Sequence, residues 1–237
     1  MRFKIITPEV LKSCLSNLLM NNYSKTYEQF SKFVNLEISE DEFEEFKKRE
    51  ITLDEIKEII SKTFVDEEKE VERMRTIWNE KGQEIISTMN EITKLLISDD
   101  EITCYVDPYQ KGGYYGEDNI TVGTYKNPED VLFVIAHELF HIFYWRKLAE
   151  LEITKSTMGT ESPQEWELAE TTVHLITTED KMREYWKGIE IEIYPELEDL
   201  YNLVENIWNE NSFEVYLKKS YDFIKKKRSP EIRDNRN

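Results

Sequence analysis

Val131 to Leu148 reads VLFVIAHELFHIFYWRKL, a run that is apolar on nearly every side when it is drawn as a helix. Just before it, Asn127 offers an N-cap side chain, and Pro128 takes the first helical position, where its missing N–H removes no hydrogen bond. In a soluble protein, a helix that is apolar all round is surrounded by other elements. The sequence therefore predicts a buried helix that begins at Pro128.

This helix carries a HExxH motif at residues 137 to 141, which holds two of the three histidines of the chain. His137 and His141 lie one helical turn apart on the same face, where both imidazoles can bind one metal ion, and Glu138 lies beside them. A buried polar group without a partner costs roughly 1–3 kcal/mol. Backbone carbonyls could satisfy a pair of core histidines, but the motif favours a single zinc ion, with Glu138 as the general base that activates a zinc-bound water.

Composition limits the class of protein and its partners. The chain has 237 residues, 39% of them hydrophobic and 34% charged, which is typical of a soluble globular protein large enough to bury a core. Its formal net charge of -18 repels nucleic-acid phosphates and anionic membrane surfaces, so neither is an expected partner. Cys14 and Cys104 form no disulfide framework or CxxC pair, which suggests free thiols in a reducing compartment.

Residues 1–98 are expected to form a helical N-terminal region, and residues 99–237 a second region that contains the motif. Two capping boxes predict helix starts, one from Ser39 with Glu42 and one from Thr52 with Glu55. Between positions 65 and 97, apolar residues at steps of three and four predict a long helix. Its expected core stripe consists of Val71, Met74, Ile77, Trp78, Ile85, Met89, Ile92 and Leu96.

The sequence pattern changes after position 98 from helical periodicity to strand and turn signals. Residues 102–106 and 119–122 read as two strands on either side of a Gly- and Tyr-rich region, so a small sheet precedes the motif helix. Downstream, Ser162, Pro163 and Glu165 form a second helix-start signal, for a helix that runs to about Thr178. Further helices are expected near residues 180–188, 196–209 and 212–228.

A catalytic zinc site normally has three protein ligands, so a third is expected on the helix after Pro163. Here the chain resembles the gluzincin zinc metallopeptidases, in which a glutamate on a later helix follows HExxH, often within W-L-x-E-G-x-A. This chain reads ELAETTV at 167–173, and that match assigns the third ligand to Glu170. The Trp is shifted to Trp166, and Thr171 replaces the Gly. Glu165 is the rival ligand, although its capping position already gives it a structural role.

The resemblance also implies a zincin-like core, in which a small sheet lies beside the two ligand helices. In such enzymes a strand before the metal helix pairs with extended substrate, and here that would be residues 119–123. The glycines at 112, 113 and 116 could form a mobile lip, but a hairpin turn is the preferred interpretation. His174, one turn beyond Glu170, could support a ligand or donate to a transition state, although a structural role is more common for such a residue.

The expected function is therefore zinc-dependent hydrolysis of a peptide or protein substrate. One alternative is a regulatory or binding protein on the same scaffold, with a zinc site and little hydrolysis. Another is a metal-free helical interaction protein. Residues 1–22 lack a secretory apolar segment, and no run of 18 apolar residues occurs, so a cytoplasmic location is expected. The sequence does not indicate an oligomeric state.

Overall fold

The computed structural model describes residues 1–20, 26–63, 65–155 and 162–228. Within them the chain is mainly helical and has one four-stranded sheet, which confirms the expected α+β, mainly helical class. The chain divides into two compact units, residues 1–83 with 98–138 and residues 84–97 with 139–237. The strands are β1 (Arg2–Ile5), β2 (Thr103–Asp107), β3 (Gly113–Tyr115) and β4 (Asn119–Gly123). The helices are α1 (Pro8–Met20), α2 (Tyr27–Phe33), α3 (Glu40–Phe46), α4 (Leu53–Lys62), α5 (Glu67–Thr93), α6 (Pro128–Glu150), α7 (Pro163–Thr177), α8 (Asp180–Arg183), α9 (Glu198–Glu210) and α10 (Phe213–Arg228).

The sheet lies wholly in the first unit and has the strand order β1-β2-β4-β3. β1 and β4 both pair with β2 in parallel, and β3 pairs with β4 antiparallel. β4 is therefore an interior strand with both edges occupied, and β3 is an edge strand. The expectation that residues 119–123 pair with substrate is wrong for this reason, because an interior strand has no free edge for a peptide.

Side-chain caps account for several helix starts of the first unit. Ser39 and Glu42 form the expected capping box of α3, and Thr52 and Glu55 form that of α4. A third capping box begins α2 at Thr26. Around these caps, α1 to α4 enclose a hydrophobic core that includes Leu11, Phe30, Phe43, Phe46 and Ile56.

The second unit is built around α7, which packs against α9 and α10. Its apolar residues Leu168, Ala169 and Val173 are fully buried. Thr172 of α7 shares a hydrogen bond of 2.9 Å between its Oγ1 and the hydroxyl of Tyr216 on α10. Hydrogen bonding between these helices therefore fixes the middle of α7, which is the part that carries Glu170.

The structure also differs from the sequence-based expectations in secondary structure and burial. The segment 2–5 forms a strand, although residues 1–98 were expected to be helical throughout. Residues 113–115 form β3, so Gly113 lies in a strand, whereas Gly116 lies in the hairpin turn between β3 and β4 that was the preferred interpretation. Leu96 was expected in the core, but it lies beyond the end of α5 and is 94% exposed. None of the described helices is both long and apolar enough to cross a membrane.

Candidate metal centre

The motif lies in the middle of α6, a helix of 23 residues that begins at Pro128 as expected. The side chain of Asn127 caps it, because Asn127 Oδ1 accepts the N–H of Glu129 at 3.1 Å. The surrounding helix is buried as predicted, and the motif side chains of Glu138 and His141 are buried with it, at 6% and 1% exposure. The boundary between the two compact units falls after Glu138, within this continuous helix.

The structure brings together the three residues that were expected to bind metal. Each of His137, His141 and Glu170 offers one ligand atom, and these atoms all lie within 4.8 Å of one another. Within the second unit, His141 Nε2 lies 3.3 Å from Glu170 Oε1, and the Glu170 side chain is 11% exposed. Two residues of α6 and one of α7 thus converge from positions far apart in the sequence.

These donor atoms fit a zinc ion. Two imidazole nitrogens and one carboxylate oxygen are a ligand set found in catalytic zinc sites, and they leave a fourth position for water or substrate. In a tetrahedral site with ligands at about 2.1 Å, two ligand atoms lie about 3.4 Å apart. The 3.3 Å between His141 and Glu170 matches that separation.

Glu165, the rival third ligand, lies elsewhere in the structure. Its carboxylate accepts a hydrogen bond from the Tyr221 hydroxyl of α10, and its side chain is buried. It does not belong to the three-residue cluster around His141. The expected capping box is absent too, because the Ser162 side chain makes no capping bond and Glu165 faces α10 instead. Glu165 therefore joins α7 to α10.

Glu138, the expected general base, lies against the edge strand β3. A Cβ atom built on Gly113 would stand 2.5 Å from Glu138 Cγ and 2.6 Å from its Oε1. Only glycine leaves room for the carboxylate in this position. The glycines of this region were noted in the sequence, but their contact with Glu138 depends on the pairing of β3 with β4, which no local pattern shows.

Two tyrosines of the first unit share the electrostatic environment of Glu138. Burial raises the pKa of Tyr114, and the negative charges of Asp107 and Glu138 raise it further. Burial likewise raises the pKa of Tyr125, and Glu138 adds to the shift. The Tyr125 hydroxyl accepts the N–H of Gly112 at 2.7 Å, next to β3. Both phenols therefore stay protonated at neutral pH, and neither was predicted from the sequence to lie near Glu138.

His174 packs its ring edge-on against Tyr201 of α9, with 5.4 Å between the ring centroids. It lies one turn beyond Glu170 on α7 but outside the three-residue cluster. This packing gives the imidazole a structural contact. A supporting role for His174 at the metal site stays a prediction.

Comparisons with models of protein families, with curated proteins and with solved structures find no match for this chain. The case for a function therefore depends on the geometry of these side chains.

Proposed function

We propose that this protein is a zinc-dependent peptide hydrolase of the gluzincin type, with one zinc ion held by His137, His141 and Glu170. The observation that carries the proposal is the convergence of these three ligand atoms within 4.8 Å, two of them on the helix of the motif and the third on the later helix where the resemblance to gluzincins assigns it. When bound, zinc supplies a Lewis acid that polarises a carbonyl and lowers the pKa of water from 15.7 to about 7.

Glu138 is assigned the proton transfers. It lies three residues before His141, a spacing that makes side chains neighbours on a helix, and its burial removes competing bulk water. In the proposed reaction, Glu138 takes a proton from the attacking water and passes it to the amine that leaves when the peptide bond breaks. The buried tyrosines Tyr114 and Tyr125 remain neutral beside it, so neither competes as a base.

The edge strand β3 is the proposed place for the substrate backbone. In the antiparallel pair, Gly123 donates to the carbonyl of Gly112, and Gly116 donates to the carbonyl of Asn119. Because the bonded positions alternate, the backbone groups of Gly113 face away from β4. An extended peptide that paired with this edge would lie beside Glu138. Such pairing binds many sequences, because it uses main-chain groups.

The test combines metal analysis with one substitution. Purified protein from zinc-replete medium should contain about one equivalent of zinc by elemental analysis, and it should cleave heavily labelled fluorescent casein. Glu138→Gln should keep the zinc and lower cleavage about 100-fold or more, because the carboxylate that moves the proton is lost. Glu129→Gln, in the first turn of α6, is the matched control and should retain full activity.

Other outcomes favour the alternatives. Full zinc content with no difference between Glu138→Gln and the unchanged protein would indicate a regulatory or binding protein on this scaffold. Zinc below about a tenth of an equivalent after zinc-replete expression would leave only a metal-free interaction protein.

A further inference from the structure

The segment between α8 and α9 has the sequence pattern of a β-strand. Residues 188–194 read GIEIEIY, in which isoleucine and glutamate alternate without interruption. Burial follows the same two-residue period, because Ile189, Ile191 and Ile193 are half-buried and Glu190 and Glu192 are exposed. A period of two is typical of extended chain, in which successive side chains point to opposite faces.

This strand-like segment has no strand partner in the part of the chain that the structure describes. Ile189 donates its N–H to the carbonyl of Trp186 at 3.1 Å, which closes the preceding turn. Glu190, Ile191, Glu192 and Ile193 make no backbone–backbone hydrogen bond with any described residue. Backbone N–H and C=O groups that make no such bond are a template for pairing with another strand.

The charges of the segment select its partner. Glu190 and Glu192 lie on the exposed face, and neither forms an ion pair with another residue of the described ranges. A second copy of the segment, paired antiparallel, would place glutamates next to glutamates on one face, and like charges in that position are destabilising. A strand with lysine or arginine at alternate positions would place opposite charges there instead.

We propose that Ile189 to Ile193 is a docking strand for an extended, basic segment of a partner protein, in which lysine or arginine alternates with apolar residues. Backbone hydrogen bonds would bind the partner, and Glu190 and Glu192 would select its charge. This inference goes beyond the proposed hydrolase activity and does not depend on it, because it uses no residue of the metal centre.

The probes are three blocked decapeptides added to the full-length protein. One alternates lysine and valine, one alternates glutamate and valine, and one alternates lysine and proline, which has the charge of the first but lacks alternate backbone N–H groups. Fluorescence anisotropy should show the lysine–valine peptide binding at least tenfold more tightly than either of the others. Equal binding of the lysine–proline peptide would overturn strand pairing, because charge alone would then account for the affinity.

A charge exchange tests the assigned residues. The double variant Glu190→Lys with Glu192→Lys changes two exposed side chains, so folding should be unaffected, as circular dichroism will show. It should bind the lysine–valine peptide at least tenfold more weakly and gain affinity for the glutamate–valine peptide. The exposed pair Glu196→Lys with Glu198→Lys is the matched control, with Glu196 just before α9 and Glu198 its first residue, and it should leave both affinities within about twofold.

Hydrogen exchange of backbone amides distinguishes strand pairing from attraction between charges, because charge alone does not protect individual amides. Bound lysine–valine peptide should slow exchange of alternate amides in residues 190–193, because only every second N–H faces a given edge. Unchanged exchange in all four amides would overturn the proposal. Dimerisation of the protein without peptide would also overturn it, if the double variant abolished that dimerisation, because a second copy would then be the partner.

Discussion

The carboxylate of Glu138 occupies the space where a side chain of Gly113 would lie, with Glu138 Oε1 only 2.6 Å from the position of a Cβ on that glycine. Contacts shorter than 3 Å to a Cβ force a shift, and Gly113 is fixed by the pairing of β3 with β4. The Glu138 side chain is therefore the part that would move. The general base of the proposed reaction thus depends on the absence of one methyl group in a neighbouring strand.

Gly113→Ala should lower kcat for casein cleavage about 10- to 100-fold without lowering zinc content, because a displacement of about 1 Å at a catalytic group has effects of that size. Gly116→Ala is the matched control at the end of the same strand. Its Cβ would approach only the side chain of Asn119, at 2.9 Å, which is partly exposed and can turn away. Equal activities of the two variants would show that Gly113 does not position Glu138.

Two matched substitutions on α7 can decide whether Glu170 or Glu165 is the third zinc ligand. Glu170→Gln should weaken zinc binding about 100-fold or more, because it removes the anionic ligand. Glu165→Gln should keep zinc affinity, because Glu165 accepts a hydrogen bond from the Tyr221 hydroxyl and the amide oxygen of glutamine can still accept it. Competition with a chromophoric chelator measures both affinities. Loss of zinc in Glu165→Gln alone would reverse the assignment.

The local signals in the sequence were sufficient for most helices. Asn127 with Pro128 starts α6, and the two capping boxes start α3 and α4, because each signal satisfies orphan N–H groups within one turn of chain. The motif placed His137 and His141 on one face for the same reason, since helical spacing is local. The start of a helix and the residues that share one of its faces were therefore predictable from the sequence.

Features that depend on distant partners were not predictable. β1 has four residues, and its pairing with β2 joins positions about 100 residues apart, so neighbouring residues could not show that this short segment is a strand. β3 has only three residues and pairs with β4 through a glycine-rich connection. Glu165 was expected in a capping box because Ser162 precedes it by three residues. In the structure its carboxylate accepts a hydrogen bond from Tyr221, which is distant in sequence.

The buried ammonium group of Lys147 should contribute to the stability of the second unit. Its side chain is 1% exposed, and its Nζ lies 2.8 Å from both Glu150 Oε1 and Glu214 Oε1, so it joins α6 to the first turn of α10. Burial alone would lower the pKa of Lys147, but the two carboxylates outweigh that effect and hold the pKa above its usual value. The lysine therefore stays charged at neutral pH.

Lys147→Met should lower the free energy of unfolding by about 1–2 kcal/mol. This is less than for a fully buried pair, because both glutamates are half-exposed and water can solvate them. Lys187→Met is the matched control, since its partner Glu184 and the lysine itself are both largely exposed, and its effect should be below about 0.5 kcal/mol. Urea unfolding measures both. Equal losses would contradict the bridging role of Lys147.

Asp107 at the end of β2 should make the stability of the first unit depend on pH. Its carboxylate is fully buried, and it accepts the N–H of Tyr109 at 2.9 Å and a hydrogen bond from the Gln110 amide. Burial raises the pKa of Asp107 to about 6, although these two hydrogen bonds oppose the shift. The folded protein thus holds this proton up to a higher pH than the unfolded chain, in which the pKa is about 3.9.

Because the folded state binds the proton more tightly, the favourable contribution of Asp107 is greatest below pH 4 and is lost as the pH rises through about 6. Asp107→Asn cannot titrate and removes this dependence. The free energy of unfolding of Asp107→Asn, relative to the unchanged protein, should therefore increase by about 2 kcal/mol between pH 4.5 and pH 7. Urea unfolding at both pH values measures it, and the comparison cancels the titration of all other groups. A difference that is constant with pH would mean that the carboxyl group has the same pKa in both states, and that water reaches it at the end of β2.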